Sequence, residues 1–269
     1  MIINYTKENP LRCFFAFAGY DSQALALNEL RELIPGFDYV TVGWSEIDKY
    51  AIQAHNALFP EAADLNYGDI SKIDWSQVPD FDLFTYSFPC TDISAAGLQK
   101  GLSKDSGTRS GLLWECEKTI KYKRPKFLLM ENVKALVSKK FLPDFNAWLE
   151  LLNNYGYDTF LQVCNAKDYG VPQNRERVFA ISYRQDLCLP RYIFPDTIPL
   201  DKCIEDVLED EVDEKYFLAD ERVEGLIEST LKEQKAGRGY KFEPKTKEDI
   251  AGHVSTKGGQ GKQITSSKS

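Results

Sequence analysis

The chain has 269 residues, 43% hydrophobic and 13% aromatic, enough for one large core or a core with a second lobe and too apolar for a disordered chain. Its formal net charge of −8 is not that of a free-standing DNA-binding domain. No apolar run approaches the ~18 residues of a membrane span, and the start, Met1 to Glu8, lacks the basic-then-apolar pattern of a signal peptide.

The elements alternate along the chain. Residues 11–19 (LRCFFAFAG) read as a first buried strand ending in Gly19, and Ser22 to Leu33 as a helix with Leu25, Leu30 and Leu33 on its apolar side. A strand, a glycine turn and a helix make either a nucleotide-binding turn or an ordinary βα connection. Tyr39 to Trp44 reads as a second strand, followed by Ser45-Glu46-Ile47-Asp48. An acid at that strand end is the group that takes ribose hydroxyls in dinucleotide folds. A helix with Tyr50, Ile52, Ala54 and Leu58 follows, and Gly68-Asp69-Ile70 places another acid at the same sheet edge.

Asp82 to Tyr86 reads as a buried strand that Pro89 ends, because proline has no N–H for a ladder. Cys90 therefore lies on the loop beyond a strand's carboxyl end, where it serves either as a nucleophile or as a small apolar filler. Residues 97–111 are rich in Gly, Ser and Lys and read as a mobile loop. Leu112 to Lys123 reads as a helix and Lys126 to Met130 as a strand whose end carries Glu131-Asn132-Val133. Acids or a thiol thus follow four successive strands: Glu46, Asp69, Cys90 and Glu131.

Phe145 to Asn154 reads as a helix closed by Tyr155-Gly156. Thr159 to Cys164 reads as a strand, Asp168 to Arg177 as a loop, and Val178 to Ser182 as a strand that forms a hairpin with its predecessor on the sheet's edge. Beyond Arg184 the pattern weakens, with a short amphipathic segment from Cys203 to Leu208. Residues 201–214 hold eight acids and one lysine, whereas 232–269 hold nine basic and four acidic residues. This asymmetry marks either two different working surfaces or a solvated linker and a polar terminus. The six cysteines show no Cys-x-x-Cys and only two histidines occur, which suggests reduced thiols in a cytoplasm, no metal site and no histidine triad.

Taken together, the motifs resemble those of the cytosine-carbon-5 DNA methyltransferases, which use S-adenosylmethionine (SAM). Phe17-Ala18-Gly19 resembles the first SAM motif, Phe88-Pro89-Cys90 the nucleophile motif, and Glu131-Asn132-Val133 and Gln173-Asn174-Arg175-Glu176-Arg177 the two that complete the cytosine pocket. Gly107 to Leu112 resembles the motif between them. The resemblance implies a Rossmann-like α/β fold: a mixed, mostly parallel sheet with helices on both faces, followed by an incomplete small lobe. It implies a catalytic SAM-binding domain over 1–184, a linker and acidic helical segment over 185–231, and the start of a target-recognition region over 232–269.

The same resemblance implies roles. Cys90 would add to carbon 6 of cytosine, making carbon 5 nucleophilic, a task suited to a soft thiolate. Glu131 would bind ring nitrogen 3 and the exocyclic amine, and Arg177 with Arg175 would orient the ring and support the thiolate; a surface ion pair of Arg177 with Glu176 is the plain alternative. Glu46 would take the SAM ribose and Asp69 the adenine amine, with Ile47 and Ile70 around the adenine ring and Phe17, Ala18, Gly19 and Pro89 lining the cofactor. Gln173, Lys104 and Arg109, with Lys100, would meet flipped duplex DNA.

Two departures stand out. Asp21 and Ser22 occupy positions where the family pattern has glycines, with Ser22 placed to cap the following helix. The segments that close the family's C-terminal side are not found. The expected function is therefore a restriction-modification DNA cytosine methyltransferase, acting either with a complementing C-terminal polypeptide or as a truncated product. The alternatives are a tRNA cytosine methyltransferase and an inactive SAM- or DNA-binding subunit.

Overall fold

The computed structural model describes residues 5–89, 110–214, 217–235 and 245–252. Within it the first four apolar runs become β1 (Leu11–Ala16), β2 (Tyr39–Ser45), β3 (Leu83–Tyr86) and β4 (Phe127–Val133). With β5 (Tyr157–Asn165) and β6 (Glu176–Arg184) they form a six-stranded sheet of order β2-β1-β3-β4-β6-β5. β1 pairs in parallel with β2 and β3, β3 pairs in parallel with β4, and β6 runs antiparallel to β4. This is the mixed, mostly parallel sheet expected of a Rossmann-like methyltransferase.

The hydrophobic alternation of β1 sorts the core into two layers. Phe14 and Ala16 join one cluster with Phe84 and Tyr86 of β3 and Leu128 and Met130 of β4. The same cluster takes in Leu113, Cys116 and Ile120 of α3 (Leu113–Lys123) and Phe145, Trp148 and Leu152 of α4 (Leu142–Asn154). Cys13 and Phe15 join the other cluster with Ala24 and Leu27 of α1 (Ser22–Leu33) and with Trp44, Phe59 and Ala62 around α2 (Lys49–Leu58). Helices therefore cover both faces.

Two details depart from the sequence reading. The residue capping α1 is Asp21, not Ser22: its carboxylate accepts from the Ala24 N–H at 3.0 Å, while Ser22 is the first helical residue. β4 runs three residues beyond Met130, because β6 continues the ladder as far as Val133↔Arg177, so Glu131 and Asn132 lie on a strand. β5 and β6 are neighbours at the sheet's edge as expected, with β6 the inner strand beside β4 and β5 outermost.

The chain divides into two compact units, 1–163 with 177–194 and 164–176 with 195–269. The first carries most of the sheet and α1 to α4. The second holds the loop before β6, helix α5 (Asp220–Lys235) and the segment 245–252. Within the acidic stretch a short helical turn forms at Glu205–Val207. Inside this unit Gln173 bridges in parallel to Ala251, whose N–H donates to the Pro172 carbonyl at 2.7 Å. Among the described residues, no helix is long and apolar enough to cross a membrane.

Where β1 meets β2 the register shifts between Cys13 and Phe14, setting Phe14 opposite Gly43. A Cβ on Gly43 would lie 2.7 Å from ring carbons of both Phe14 and Tyr67. Gly43→Ala is therefore expected to lower stability by ~1–3 kcal/mol through overpacking. Urea denaturation checks this; a midpoint equal to the wild type would mean that the two rings move aside freely.

Candidate active site

The turn after β1 is built from alternating left-handed residues: Phe17 at φ 55°, Gly19 at 60° and Asp21 at 67°. For a residue with a Cβ this region costs about 1–2 kcal/mol, so the turn must be held from outside. The Ala18 N–H donates to the Ser45 carbonyl at 3.1 Å, and the Asp21 N–H to the Ala18 carbonyl at 2.8 Å. The Gly19 N–H donates to Glu46 Oε2 at 3.0 Å. No described atom lies within 4 Å of where a Cβ on Gly19 would sit, so the turn faces open space there.

Glu46 is itself fixed. Its other oxygen accepts from the N–H groups of Ile47 at 2.7 Å and Asp48 at 2.9 Å. Three backbone donors leave about one of the ~four acceptor positions of the carboxylate for a further hydroxyl.

Asn66, to which the sequence reading gave no role, ties the Glu46 and Asp69 segments together. Its Oδ1 accepts from the N–H groups of Glu46 at 3.2 Å and Gly68 at 2.9 Å, and its Nδ2 donates to the Glu46 carbonyl at 3.1 Å. Asp69 follows, with Oδ1 accepting from the backbone N–H and hydroxyl of Ser71. These hydrogen bonds, helped by Lys72, hold its carboxyl below the usual carboxylate range. The isoleucines differ: Ile47 is 72% exposed, whereas Ile70 is 3% exposed and packed in the core, so only Ile47 presents a broad apolar surface.

The second half of the site lies at the ends of β3 and β4. Phe88 is buried, and its carbonyl accepts from Asn132 Nδ2 at 3.0 Å. Asn132 Oδ1 accepts from the Val133 N–H at 2.8 Å, so this 3% exposed amide fastens the end of β4 to the strand end that leads to Pro89. Gln23 of α1 donates to Ser87 Oγ at 3.1 Å, adding a tie to the same segment. Cys90, Lys104 and Arg109 lie outside the described residues.

Glu131 and Arg177 are brought together. The pairing Val133↔Arg177 places Glu131 two residues along β4 on the same face, a diagonal neighbour. Arg177 Nε lies 3.1 Å from Glu131 Oε1, with side chains 14% and 22% exposed. The arginine thus turns to the pocket acid expected from the sequence.

Gln173 and Arg175 belong to the second unit. There Gln173 Nε2 donates to the Gly252 carbonyl at 3.2 Å. Asn165 Oδ1 accepts from the Arg175 N–H at 2.9 Å, and Asn165 Nδ2 donates to Asn174 at 2.7 Å. Among the described residues, no group of three His, Cys, Asp or Glu side chains is placed to hold a metal ion.

Asn132 shows what sequence reasoning misses. Its motif was visible, but the need to satisfy a buried amide on both sides emerges only once β3 and β4 are neighbours.

A six-stranded, mostly parallel sheet with one antiparallel strand inserted near its edge, with Glu46 just beyond β2, Asp69 on the connection from α2 to β3 rather than after a strand of its own, and Glu131 within the end of β4, defines a Rossmann-like methyltransferase. A family model for C-5 cytosine-specific DNA methylase matches residues 12–269. The chain is 40% identical over 267 residues to the type II methyltransferase M2.ScrFI of Lactococcus lactis subsp. cremoris, covering 79% of this chain and 71% of that one. It is 32% identical over 252 residues to the orphan methyltransferase M.Rho11sI of Bacillus phage rho11s, covering 83% of this chain and 48% of the relative. The chain thus spans between about half and seven-tenths of the length of these curated relatives. Among solved structures, the S. pombe Dnmt2 methyltransferase shares the fold with a TM-score of 0.62 at 20% identity, covering 89% of this chain and 70% of that one. The chain belongs to the C-5 cytosine-specific DNA methylase family.

Asn132→Ala removes the donor to Phe88 and is expected to cost ~1–3 kcal/mol, the penalty of a buried carbonyl left unpaired. Thermal denaturation measures the loss; an unchanged melting temperature would show that the tie contributes nothing.

Proposed function

We propose that this chain transfers a methyl group from SAM to carbon 5 of a cytosine flipped out of duplex DNA, in a restriction-modification or phage-type setting like that of its named relatives. The observation that carries this reading is the Glu131–Arg177 contact at the end of β4, a strand end fastened through Asn132 to the segment leading into Pro89-Cys90.

The cofactor side fits SAM. Glu46 keeps an acceptor position for a ribose hydroxyl, Asp69 supplies an ionised acceptor for the adenine amine, and Ile47 offers an apolar face. Phe17 and Ala18 shape the turn, and the open space over Gly19 admits the methionine end. When bound, SAM supplies an electrophilic methyl on a sulfonium.

In the proposed reaction the Cys90 thiolate adds to carbon 6 and forms a carbon–sulfur bond. The ring electrons move toward carbon 5, and Glu131 gives a proton to ring nitrogen 3 as negative charge builds there. Arg177, already against Glu131, orients that carboxyl and the ring. Carbon 5 takes the methyl group. A base then removes the proton on carbon 5, the sulfur leaves with its electron pair, and the proton on nitrogen 3 returns to Glu131. Flipping delivers the base, and Gln173, Lys104 and Arg109 provide contacts to base and phosphate.

Two variants separate the roles. Cys90→Ser is expected to abolish methyl transfer and the covalent adduct with a 5-fluorocytosine duplex while leaving SAM affinity unchanged; loss of SAM binding as well would assign Cys90 a structural role. Glu46→Ala is expected to raise the SAM Kd by about tenfold or more, the equivalent of one or two lost hydrogen bonds to a charged acceptor. Equilibrium dialysis reads the change, and an unaltered Kd would remove Glu46 from the cofactor site.

A further inference from the structure

The cofactor turn contains a charged residue that its backbone conformation does not require. Asp21 sits at φ 67°, a conformation that glycine adopts without strain, and the family pattern has glycine there. The Asp21 side chain is nevertheless 0% exposed. One oxygen caps α1 through the Ala24 N–H. The other, Oδ2, has no hydrogen-bond partner among the described residues and faces His55 Nε2 at 3.7 Å.

His55, on α2, is 1% exposed. Its ring stacks on Trp44 with centroids 3.6 Å apart and planes at 17°, and leans on Phe59 at 5.2 Å. Its other nitrogen, Nδ1, lies 3.4 Å from Asn56 Oδ1. The imidazole is thus clamped in the plane that aims Nε2 at Asp21.

A carboxylate in such a place is costly. Burial pushes the Asp21 carboxyl above the usual range, and the contact with His55 and the Ala24 N–H only partly offset this. The sign follows: a carboxyl raised in the folded state binds its proton more tightly there, so stability falls as pH rises from 3.8 through the folded-state value. In its ionised form Asp21 therefore works against the fold. A group that destabilises the fold beside a ligand turn points to a role other than stability.

Position supplies the role. Glu46 ties the middle of the turn, at Gly19, to the start of the α2 segment. Asp21 faces His55 in the last turn of the same helix. Resting on the reading that this turn binds SAM, we infer that Asp21 and His55 are positioning residues whose carboxylate–imidazole contact holds the left-handed turn in its cofactor-binding form. A shift of less than an ångström converts the 3.7 Å separation into a hydrogen bond from Nε2–H to Oδ2. Cofactor binding favours the closed contact, and the closed contact favours binding. The other titratable groups facing Asp21 are Cys13 on β1 and Tyr39 on β2, both held neutral by burial.

Equilibrium dialysis with SAM tests this on the full chain. Asp21→Asn keeps the cap and tolerates the left-handed backbone but removes the charge; His55→Phe keeps the ring stack but removes the donor. Each is expected to raise the SAM Kd by roughly tenfold, with the double variant no worse than either single one. His55→Gln, which keeps a donor, should recover most of the affinity. Wild-type affinity should fall as pH drops from neutral toward 3.8, over the range where the far-UV circular dichroism is constant, and the fall should be shallower for Asp21→Asn, which keeps the other carboxylates of the cofactor side. Single variants that bind as tightly as wild type, additive losses, or identical pH profiles would overturn the pair as a positioning device. A wild-type chain that binds no SAM would instead overturn the cofactor reading itself, and this inference with it.

Discussion

The carboxylate of Glu46 accepts hydrogen bonds from three backbone N–H groups: Gly19 on the turn after β1, and Ile47 and Asp48 at the start of the α2 segment. Everything on the cofactor side is arranged around it. The turn has two residues with side chains in the left-handed region, which would relax if nothing held them. One ionised group joining the turn to the next crossover supplies that hold and still keeps an acceptor position for a ligand. Charge-assisted bonds of this kind are about twice as strong as neutral ones, so the tie is sturdier than an amide could make it.

The base side of the site uses the same device with a neutral group. Asn132 satisfies a donor and an acceptor at once, one on its own strand and one at Phe88, just beyond β3. Glu131, its neighbour in β4, is left with its side chain on the opposite face, where Arg177 meets it. Alternation along a strand thus divides the labour between adjacent residues: one ties down the segment after β3, the next pairs with Arg177 on the other face.

Much of this was readable beforehand, for identifiable reasons. β1 to β4 announced themselves because parallel strands buried on both faces are continuous apolar runs, and their ends were marked by Gly19, Pro89 and acids. The placement of β6 between β4 and β5 was not readable, because no local pattern says which neighbour a strand will choose. The roles of Asn66 and Asn132 were hidden for the same reason: an amide's worth depends on what tertiary contact leaves unpaired beside it. The exchange of Ser22 for Asp21 as the α1 cap turned on a single backbone angle. Ile47 and Ile70 looked alike in sequence and came apart in exposure, because one sits on a loop and the other begins a short helical turn packed into the core.

The antiparallel insertion of β6 also orders events in time. Every tie on the cofactor side joins residues within the first two crossovers, which emerge together from a ribosome. Glu131 meets Arg177 only after α4 and β5 have been made and β6 has paired with β4. Contacts closed over such long stretches of chain form late and slowly. The half of the site around Glu46 is therefore local enough to take shape early, while the half around Glu131 and Arg177 waits for the strand that comes last.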